Sequence, residues 1–278
     1  MNRSISVAIW MIQLGMSALH GDIPMNKAGN DALDGLFHQF ISPYLPLRES
    51  DGKIDIPESV KHVKLDIGLS YSAPMSQHWL SQEDDLIVFG FEPNPSSVNR
   101  IRAGAVRAHP SHGEPLETKY LDTQFFLIPC ALGQPERPTV TFYVTAQDCG
   151  CSSIYEPVSF EVERVIEVPF FPLSDFFDLF PFDTHPVIEY IKIDAQGSDL
   201  DIVKSAGHYI PERVIYVTIE AENVEYRSTH NSEQDIDSYM TSIGFVRHWC
   251  NEASDPTYVN SRYLDYLKVH DIKIYQKG

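Results

Sequence analysis

The sequence predicts an α/β fold, with a mostly parallel sheet, an antiparallel closing strand and helices on both faces. Apolar runs of strand length alternate with helical patterns along the chain, and three of these runs end in an acid. The three segments are 63–70, 86–95 and 188–200. Ligands of open α/β sheets bind at the carboxyl ends of the strands, so we expect the three acids to share one site for a polar ligand.

The individual elements follow from apolar periodicity and from proline and capping signals. The predicted strands are 63–67, 86–92, 124–128, 139–145, 165–171, 188–194 and 213–220, followed by antiparallel closing strands at 245–248 and 266–275. The predicted helices are 73–80, 96–102, 174–180, 199–206 and 235–243. Pro74 falls in the first turn of the first helix, and Ser96 and Ser174 are the expected N-caps.

Residues 1–60 are predicted to be an N-terminal helical extension of a main domain over 61–278. The apolar segment 5–19 is too short to span a bilayer comfortably and fits a packed amphipathic helix. A secretory signal over residues 1–20 is the alternative. Residues 31–44 carry a second helical stripe, and the polar segment 45–58 is predicted to be a linker.

The net charge of the 278-residue chain is -18. This charge argues against nucleic acids and anionic membrane surfaces as partners, whereas a neutral or cationic small molecule would meet no barrier. The acidity could equally serve solubility alone. No cysteine pair has the Cys-x-x-Cys spacing of a zinc or redox site, so free thiols in a reducing, cytoplasmic setting are expected.

Gly68 and Glu92 indicate the class of ligand. A glycine directly after a strand lets backbone approach closely, but the three glycines of the dinucleotide fingerprint are missing, which disfavours a NAD-dependent oxidoreductase. Glu92, at the tip of the second strand, could accept hydrogen bonds from both ribose hydroxyls, or could instead cap the turn at Asn94. A nucleoside without a pyrophosphate, such as S-adenosylmethionine, fits this pattern.

Six segments in order resemble the FkbM-type methyltransferases. They are Leu65-Asp66-Ile67-Gly68, Phe91-Glu92-Pro93-Asn94-Pro95, Ala131-Leu132-Gly133, Leu173-Ser174-Asp175-Phe176, Ile191-Lys192-Ile193-Asp194-Ala195-Gln196-Gly197 and Ile219-Glu220. The resemblance covers about residues 63–250. It implies a Rossmann-like class I methyltransferase sheet and S-adenosylmethionine-dependent O-methylation of a hydroxyl on a carbohydrate, glycolipid or related small molecule.

The strand tips and the resemblance together give the candidate site residues. The candidate cofactor-binding residues are Asp66, Gly68, Ser70, Glu92, Asn94, Cys130 and Ala131, and the candidate catalytic residues are Asp194, Lys192 and Glu220. Lys192 could orient Asp194 as an ion-pair partner or act as a base. Asp194 could instead be a structural, hydrogen-bonded carboxylate. Mg²⁺ held by Asp194, Glu220 and Asn223 is a disfavoured alternative, and no metal ligand is predicted.

Two motifs depart from the family pattern. Ser70 stands where the family has Asn, with the second glycine of that motif missing, and Gln196 stands where it has Glu. These departures support an alternative function, a degenerate nucleoside-binding module without turnover. The loops 107–119, 147–157 and 221–235 are expected to select the acceptor, with Ser152 and Ser153 lining the pocket, and a homo-oligomer is left open.

Overall fold

The computed structural model describes residues 36–107, 113–146, 150–221, 226, 232–250 and 255–265. The apolar segment 5–19, Asn223 and the predicted strand 266–275 lie outside the described residues, as do parts of the three predicted acceptor loops.

The described fold contains ten strands and six α-helices with defined bounds, and residues 36–41 before the first strand are helical as well. The strands are β1 (His62–Ile67), β2 (Leu86–Phe91), β3 (Phe125–Ile128), β4 (Ala131–Leu132), β5 (Thr139–Thr145), β6 (Val162–Phe171), β7 (Ile188–Ile193), β8 (Val214–Ile219), β9 (Phe245–Cys250) and β10 (Pro256–Asn260). The helices are α1 (Pro74–Leu80), α2 (Pro95–Ala103), α3 (Leu173–Leu179), α4 (Asp199–Ser205), α5 (Tyr209–Arg213) and α6 (Glu233–Ser242).

Seven strands form the main sheet in the order β3-β2-β1-β7-β8-β10-β9. Strands β1, β2, β3, β7 and β8 pair in parallel, and β10 pairs antiparallel with both β8 and β9. The chain runs outward from β1 to β3 and then returns to β7 on the other side of β1, so the order reverses between β1 and β7. This architecture confirms the predicted fold class and places a ligand crevice at the carboxyl ends of β1 and β7.

The strands form because both faces of the sheet are covered. Along β2, Ile87, Phe89 and Phe91 belong to one apolar cluster, whereas Leu86 and Val88 belong to the cluster on the opposite face. Parallel strands that are buried on both faces have continuous apolar sequences, which is why the predicted and observed bounds of β1, β2, β7 and β8 nearly coincide.

A second sheet, in the order β4-β6-β5, lies beside the main one. Strands β5 and β6 form an antiparallel pair with Thr139 opposite Pro169, and the short β4 runs parallel to β6. Phe142 and Val168 contribute to its own small apolar core. This sheet brings Phe142 and the segment after β5 to the carboxyl edge of the main sheet.

The segment before β1 is packed into the main core. Phe37 and Phe40 lie against Phe171, with ring centroids 5.0 and 5.1 Å apart. Leu45, Ile54 and Ile56 are buried in the same cluster, and Leu47 forms an antiparallel bridge with Ile54. The linker interpretation of residues 45–58 is therefore wrong, because their apolar side chains belong to the core.

Several local predictions need correction. Helix α2 begins at Pro95, and its cap is Asn94, whose side chain accepts a hydrogen bond from the Ser96 amide; Ser96 is not the cap. Helix α3 begins at Leu173, after Pro172, so Ser174 lies inside its first turn. The sequence did not predict α5 or β10, and β10 supplies the antiparallel strand.

Among the described residues, none of the helices combines the length and the apolarity needed to cross a bilayer.

Candidate functional site

A cavity that is partly open to solvent lies at the carboxyl ends of β1, β2 and β7, and it encloses about 700 Å³ of empty space when its open mouth is included. The predicted residues in its lining are Gly68, Ser70, Glu92, Asn94, Cys130, Ala131 and Asp194. The other three predicted site residues do not line the cavity in the described part of the chain but lie directly behind it, and they are Asp66, Lys192 and Glu220.

The tips of β1 and β7 meet at Gly68. Its φ is +81°, and a Cβ at this position would lie 1.7 Å from the carbonyl oxygen of Asp194. Its amide donates a hydrogen bond to the Phe91 carbonyl at 3.0 Å. A glycine is therefore required here because the tips of β1 and β7 approach each other too closely for a side chain. The sequence predicted only the close approach of the backbone to a ligand.

Asp66 joins β1 to helix α1. Its Oδ2 accepts hydrogen bonds from the amide of Ser76 at 3.1 Å and from the Ser76 hydroxyl at 2.6 Å. Only 1 % of the residue is exposed. Burial raises the pKa of Asp66, and the Lys192 ammonium opposes this shift. Asp66 therefore fixes the shape of the cavity floor from behind the lining.

Glu92 follows β2 and is a buried carboxyl in the cavity wall, with 5 % exposure. One of its oxygens accepts a hydrogen bond from the Asn94 amide at 2.8 Å. Burial raises the pKa of Glu92 to about 8, although hydrogen bonds from the Asn94 and Leu69 amides oppose the shift. The Glu92 carboxyl therefore caps the turn, and it can also form hydrogen bonds with a ligand in the cavity.

Lys192 and Asp194 form an ion pair at the tip of β7. The Lys192 Nζ lies 2.9 Å from Asp194 Oδ2 and donates to the Gly68 carbonyl at 3.1 Å. Burial would raise the pKa of Asp194, but Lys192 and neighbouring hydrogen bonds hold it well below its usual range. Burial likewise opposes the charge of Lys192, yet Asp194 and Asp66 raise its pKa. An ammonium stabilised in this way favours the ion-pair role over the base role.

Next to Asp194 in the cavity lining, the side-chain amide of Gln196 connects two carboxylates. Gln196 Nε2 donates to Asp194 Oδ1 at 2.9 Å and to Glu220 Oε2 at 2.7 Å. Its Oε1 accepts a hydrogen bond from the Tyr226 hydroxyl at 2.6 Å. The sequence marked Gln196 only as a lost carboxylate and did not single out Tyr226, which comes from the loop after β8.

The turn that carries Gln196 is held by Asp199, the first residue of α4. The carboxyl of Asp199 accepts hydrogen bonds from the amides of Ala195 at 2.9 Å and Gly197 at 3.1 Å. Burial raises the pKa of Asp199 to about 7. Gln196 itself has a φ of +57°, so this buried carboxyl fixes a turn that an L-residue rarely adopts.

The loop after β5 closes one side of the cavity. Ser152 lines the cavity, as predicted, whereas the fully buried Ser153 donates to the Gln196 carbonyl at 2.7 Å and is not part of the described lining. Apolar side chains complete this wall, and they include Leu132, Phe142 and Ile154. Burial raises the pKa of the Cys130 thiol, so it is an inert part of the wall.

One group of potential metal ligands within the described chain lies elsewhere, near the amino ends of β1 and β7. His62, Glu83 and Glu189 bring their ligand atoms within 4.8 Å of one another. Lys64 donates to Glu83 at 2.7 Å, and the hydrogen bond that the His62 ring donates to the Glu189 carboxylate raises the pKa of that histidine. These ion pairs account for the cluster without a metal.

A family model described as Methyltransferase FkbM domain matches residues 71–247, which is more than half of the chain. The matched region begins after β1 and includes Glu92, Asp194, Gln196 and Glu220. No curated protein matches the chain significantly.

Proposed function

The chain belongs to the FkbM methyltransferase family, and from that premise we propose that it is an S-adenosylmethionine-dependent O-methyltransferase. The proposed acceptor is a hydroxyl of a carbohydrate, glycolipid or related small molecule, as the family resemblance implies. The observation that carries the proposal is Glu92, a buried carboxyl in the cavity wall at the topological switch point of the sheet.

The chemistry of the lining fits a cationic nucleoside. The Glu92 carboxyl can accept hydrogen bonds from ribose hydroxyls, and the apolar side chains of Leu132, Phe142 and Ile154 offer a surface for an aromatic base. The Asp194 carboxylate, whose side chain is 38 % exposed, supplies a fixed negative charge to the cavity. When bound, S-adenosylmethionine would supply an electrophilic methyl group next to these residues.

Asp194 is proposed to orient the acceptor. A carboxylate with a lowered pKa is a weak base, so little of the 10²–10⁴ available from general-base catalysis can come from it. Its larger contribution is to accept a hydrogen bond from the acceptor hydroxyl and to hold that oxygen in place, because orientation can supply about 7–11 kcal/mol in well-aligned reactions. Lys192 positions Asp194 from behind.

The partner predictions from the sequence stand as part of the proposal. The net charge of -18 supports a small-molecule or glycan acceptor over nucleic acid or an anionic membrane. We also propose a cytoplasmic setting, and an N-terminal extension over residues 1–60 that precedes the main domain over 61–278 and shares its core through Phe37 and Phe40.

Calorimetric titration with S-adenosylhomocysteine and S-adenosylmethionine, with NAD⁺ as the negative control, tests the cofactor assignment. We expect micromolar binding of both S-adenosyl ligands. Above pH 8, where the Glu92 carboxylate is ionised, Glu92→Gln should weaken binding roughly 10- to 100-fold, because a hydrogen bond to a charged group contributes about 1.5–3 kcal/mol. Glu163→Gln, which removes an exposed carboxylate on β6, is the matched control and should bind like the wild type.

The variant Asp194→Asn separates cofactor binding from acceptor orientation. It should keep S-adenosylhomocysteine affinity while methyl transfer to a panel of glycan acceptors is lost. If Glu92→Gln and Asp194→Asn weaken S-adenosylhomocysteine binding equally, Asp194 would be assigned to cofactor binding instead of acceptor orientation. Absence of S-adenosyl binding in the wild type would overturn the proposal, and binding without transfer to any acceptor would favour the degenerate nucleoside-binding module.

A further inference from the structure

The first turn of helix α2 contains a serine whose polar groups are not used by the fold. Ser97 lines the cavity, and only 8 % of the residue is exposed. Its hydroxyl and its backbone amide have no hydrogen-bond partner among the described residues. Buried polar groups almost always have a partner in the protein, in water or in a ligand. Because Ser97 lines the cavity, a bound ligand can supply that partner.

The Ser97 amide is available because of the way in which α2 begins. Pro95 has no N–H, and the Ser96 amide donates to the Asn94 side chain at 3.0 Å. The Val98 amide donates to the Asn94 carbonyl, also at 3.0 Å. In the first turn of the helix, the described contacts therefore leave the Ser97 amide for a ligand. A donor at a helix start is also favoured by the positive end of the helix dipole.

The same cap orients the side-chain amide of Asn94. Its Oδ1 accepts the hydrogen bond from Ser96, so the two side-chain hydrogens are on Nδ2. They have no partner within the part of the chain that the structure describes. Asn94 is 6 % exposed and lines the same cavity as Ser97. The start of α2 therefore offers the cavity several unused hydrogen-bond donors.

Glu92 supplies hydrogen-bond acceptors next to these donors. Its Oε1 accepts from the Asn94 amide at 2.8 Å, and the Leu69 amide donates to the carboxyl as well. A carboxylate has about four lone pairs, so it can still accept from ribose hydroxyls. Each hydroxyl has one hydrogen and two lone pairs. A ribose hydroxyl that donates to Glu92 can thus accept a second hydrogen bond from the start of α2.

We propose that Ser97 is a cofactor-binding residue whose hydroxyl donates to a ribose oxygen of the nucleoside. The Ser97 amide and Asn94 Nδ2 support the same contact, so that the ribose meets acceptors on Glu92 and donors on α2. This inference deepens the proposed function and rests on it, because it requires a nucleoside in this cavity. The sequence pointed to Asn94 but not to Ser97, since a serine in a first helical turn is commonly exposed.

A double-mutant cycle between protein and ligand tests the inference. Calorimetry above pH 8, where Glu92 is ionised, measures binding of 5′-methylthioadenosine and of its 2′-deoxy and 3′-deoxy forms. Ser97→Ala should weaken binding of the complete ligand roughly 2- to 12-fold, which corresponds to the about 0.5–1.5 kcal/mol of a neutral hydrogen bond. It should leave binding of one deoxy form unchanged, because that form lacks the hydroxyl that contacts Ser97.

Ser96→Ala is the matched control. Ser96 precedes Ser97 in the same helical turn, but its hydroxyl accepts from Arg164 Nη2 at 3.0 Å and it is not part of the described cavity lining. This variant should bind all three ligands like the wild type. If Ser97→Ala weakens binding of all three ligands equally, its partner is not a ribose hydroxyl and the inference is wrong. Unchanged binding of the complete ligand would also overturn it.

The melting temperature of the unliganded protein separates a binding role from a structural one. Ser97→Ala removes a hydroxyl that has no partner in the described structure, and alanine has the higher helix propensity. The melting temperature should therefore equal or exceed that of the wild type. A weaker affinity accompanied by a lower melting temperature would show that Ser97 supports the fold, and would contradict the inference.

The proposed function and this inference fail in different ways. If the wild type binds neither S-adenosylhomocysteine nor 5′-methylthioadenosine, the proposed function is wrong and the role of Ser97 is wrong with it. If the wild type binds both ligands and Ser97→Ala binds them equally well, only the role of Ser97 is wrong.

Discussion

At the scale of single residues, burial decides how each acid in the cavity ionises. Glu92 has a pKa raised to about 8 by burial, whereas Asp194 keeps a lowered pKa because the charge of Lys192 and hydrogen bonds with Glu220 and Gln196 outweigh its burial. Burial therefore favours the neutral form of Glu92, whereas the neighbours of Asp194 favour its ionised form. These two carboxyls, at the tips of the strands on either side of β1, are therefore suited to different tasks.

The raised pKa of Glu92 predicts pH-dependent nucleoside binding. Ribose hydroxyls are hydrogen-bond donors and favour the carboxylate, so affinity should rise as the pH approaches about 8 and become constant above it. The probe is 5′-methylthioadenosine, which has the ribose but no amino acid group that titrates. Calorimetry between pH 6 and pH 9 measures the profile, and Glu92→Gln should give a flat one. If the affinity of the wild type does not change with pH, the ribose does not form hydrogen bonds with the ionised Glu92 carboxylate.

The same burial has the opposite consequence for stability. A carboxyl whose folded pKa lies above its unfolded pKa loses stabilising free energy as the pH rises between the two values. For Glu92 this window extends from about its ordinary value of 4.5 up to about 8. Wild type should therefore lose more stability than Glu92→Gln between pH 5 and pH 8 in urea denaturation, and identical slopes would contradict the assignment.

The sequence could place acids at strand tips but not the contacts between them. Glu92 and Asp194 were recognisable because each directly follows an apolar run. The bridge formed by Gln196 depends on Tyr226, which is 30 residues further along the chain and reaches the site from another strand's loop. Ser153 illustrates the same limit, since no local pattern distinguishes a hydroxyl that lines a cavity from one that supports a turn.

At the scale of elements, the junction of β1 and β7 determines the cavity floor. Gly68 has both a left-handed φ and a neighbouring backbone oxygen that a Cβ would overlap. Gly207 is a useful comparison, because its φ is +57° but no atom lies within 4 Å of an added Cβ. Comparing substitutions at these two glycines therefore separates the free-energy cost of backbone strain from that of crowding.

Replacing Gly68 with Ala should be far more costly than replacing Gly207. We expect about 1–2 kcal/mol for Gly207→Ala, from the left-handed backbone alone. Gly68→Ala should cost about 2–5 kcal/mol, because overpacking adds a further 1–3 kcal/mol. Urea denaturation measures both, and equal costs would show that the strand tips can move apart freely.

The elements that the sequence predicted well are those with continuous apolar runs or clear alternation. Strand β5 was predicted at its observed bounds because Thr139–Thr145 alternates along an antiparallel pair. Strand β10 was missed because it begins with a proline and contains polar residues whose burial, as at Thr257 and Asn260, comes from the neighbouring strands. Its pairing with β8 connects distant parts of the chain, which local patterns cannot reveal.

At the scale of the whole molecule, the segment before β1 belongs to the main core in the described structure. The two phenylalanines Phe37 and Phe40 are buried against Phe171. Alternation of strands and helices predicted the sheet correctly, but it contained no information on what covers its faces. An extension that supplies core side chains is therefore hard to distinguish from a separate unit by sequence alone.

Unfolding measurements test whether this segment is part of one cooperative unit. Phe40→Ala should cost about 3–5 kcal/mol, as expected for a buried aromatic residue. Met75→Ala, at a largely exposed position, is the control and should stay within about 0.5 kcal/mol. A separate early transition in Phe40→Ala, with the main transition unchanged, would instead support an independent N-terminal extension over residues 1–60.

The central claim is that the cavity between β1 and β7 holds the S-adenosyl group with its ribose on Glu92. A crystal structure of the protein with S-adenosylhomocysteine tests it most directly. The account predicts ribose hydroxyls within hydrogen-bonding distance of the Glu92 carboxylate and the sulfur in the part of the cavity that Asp194 lines. Ligand bound at another surface, or in this cavity with its ribose away from Glu92, would contradict the account.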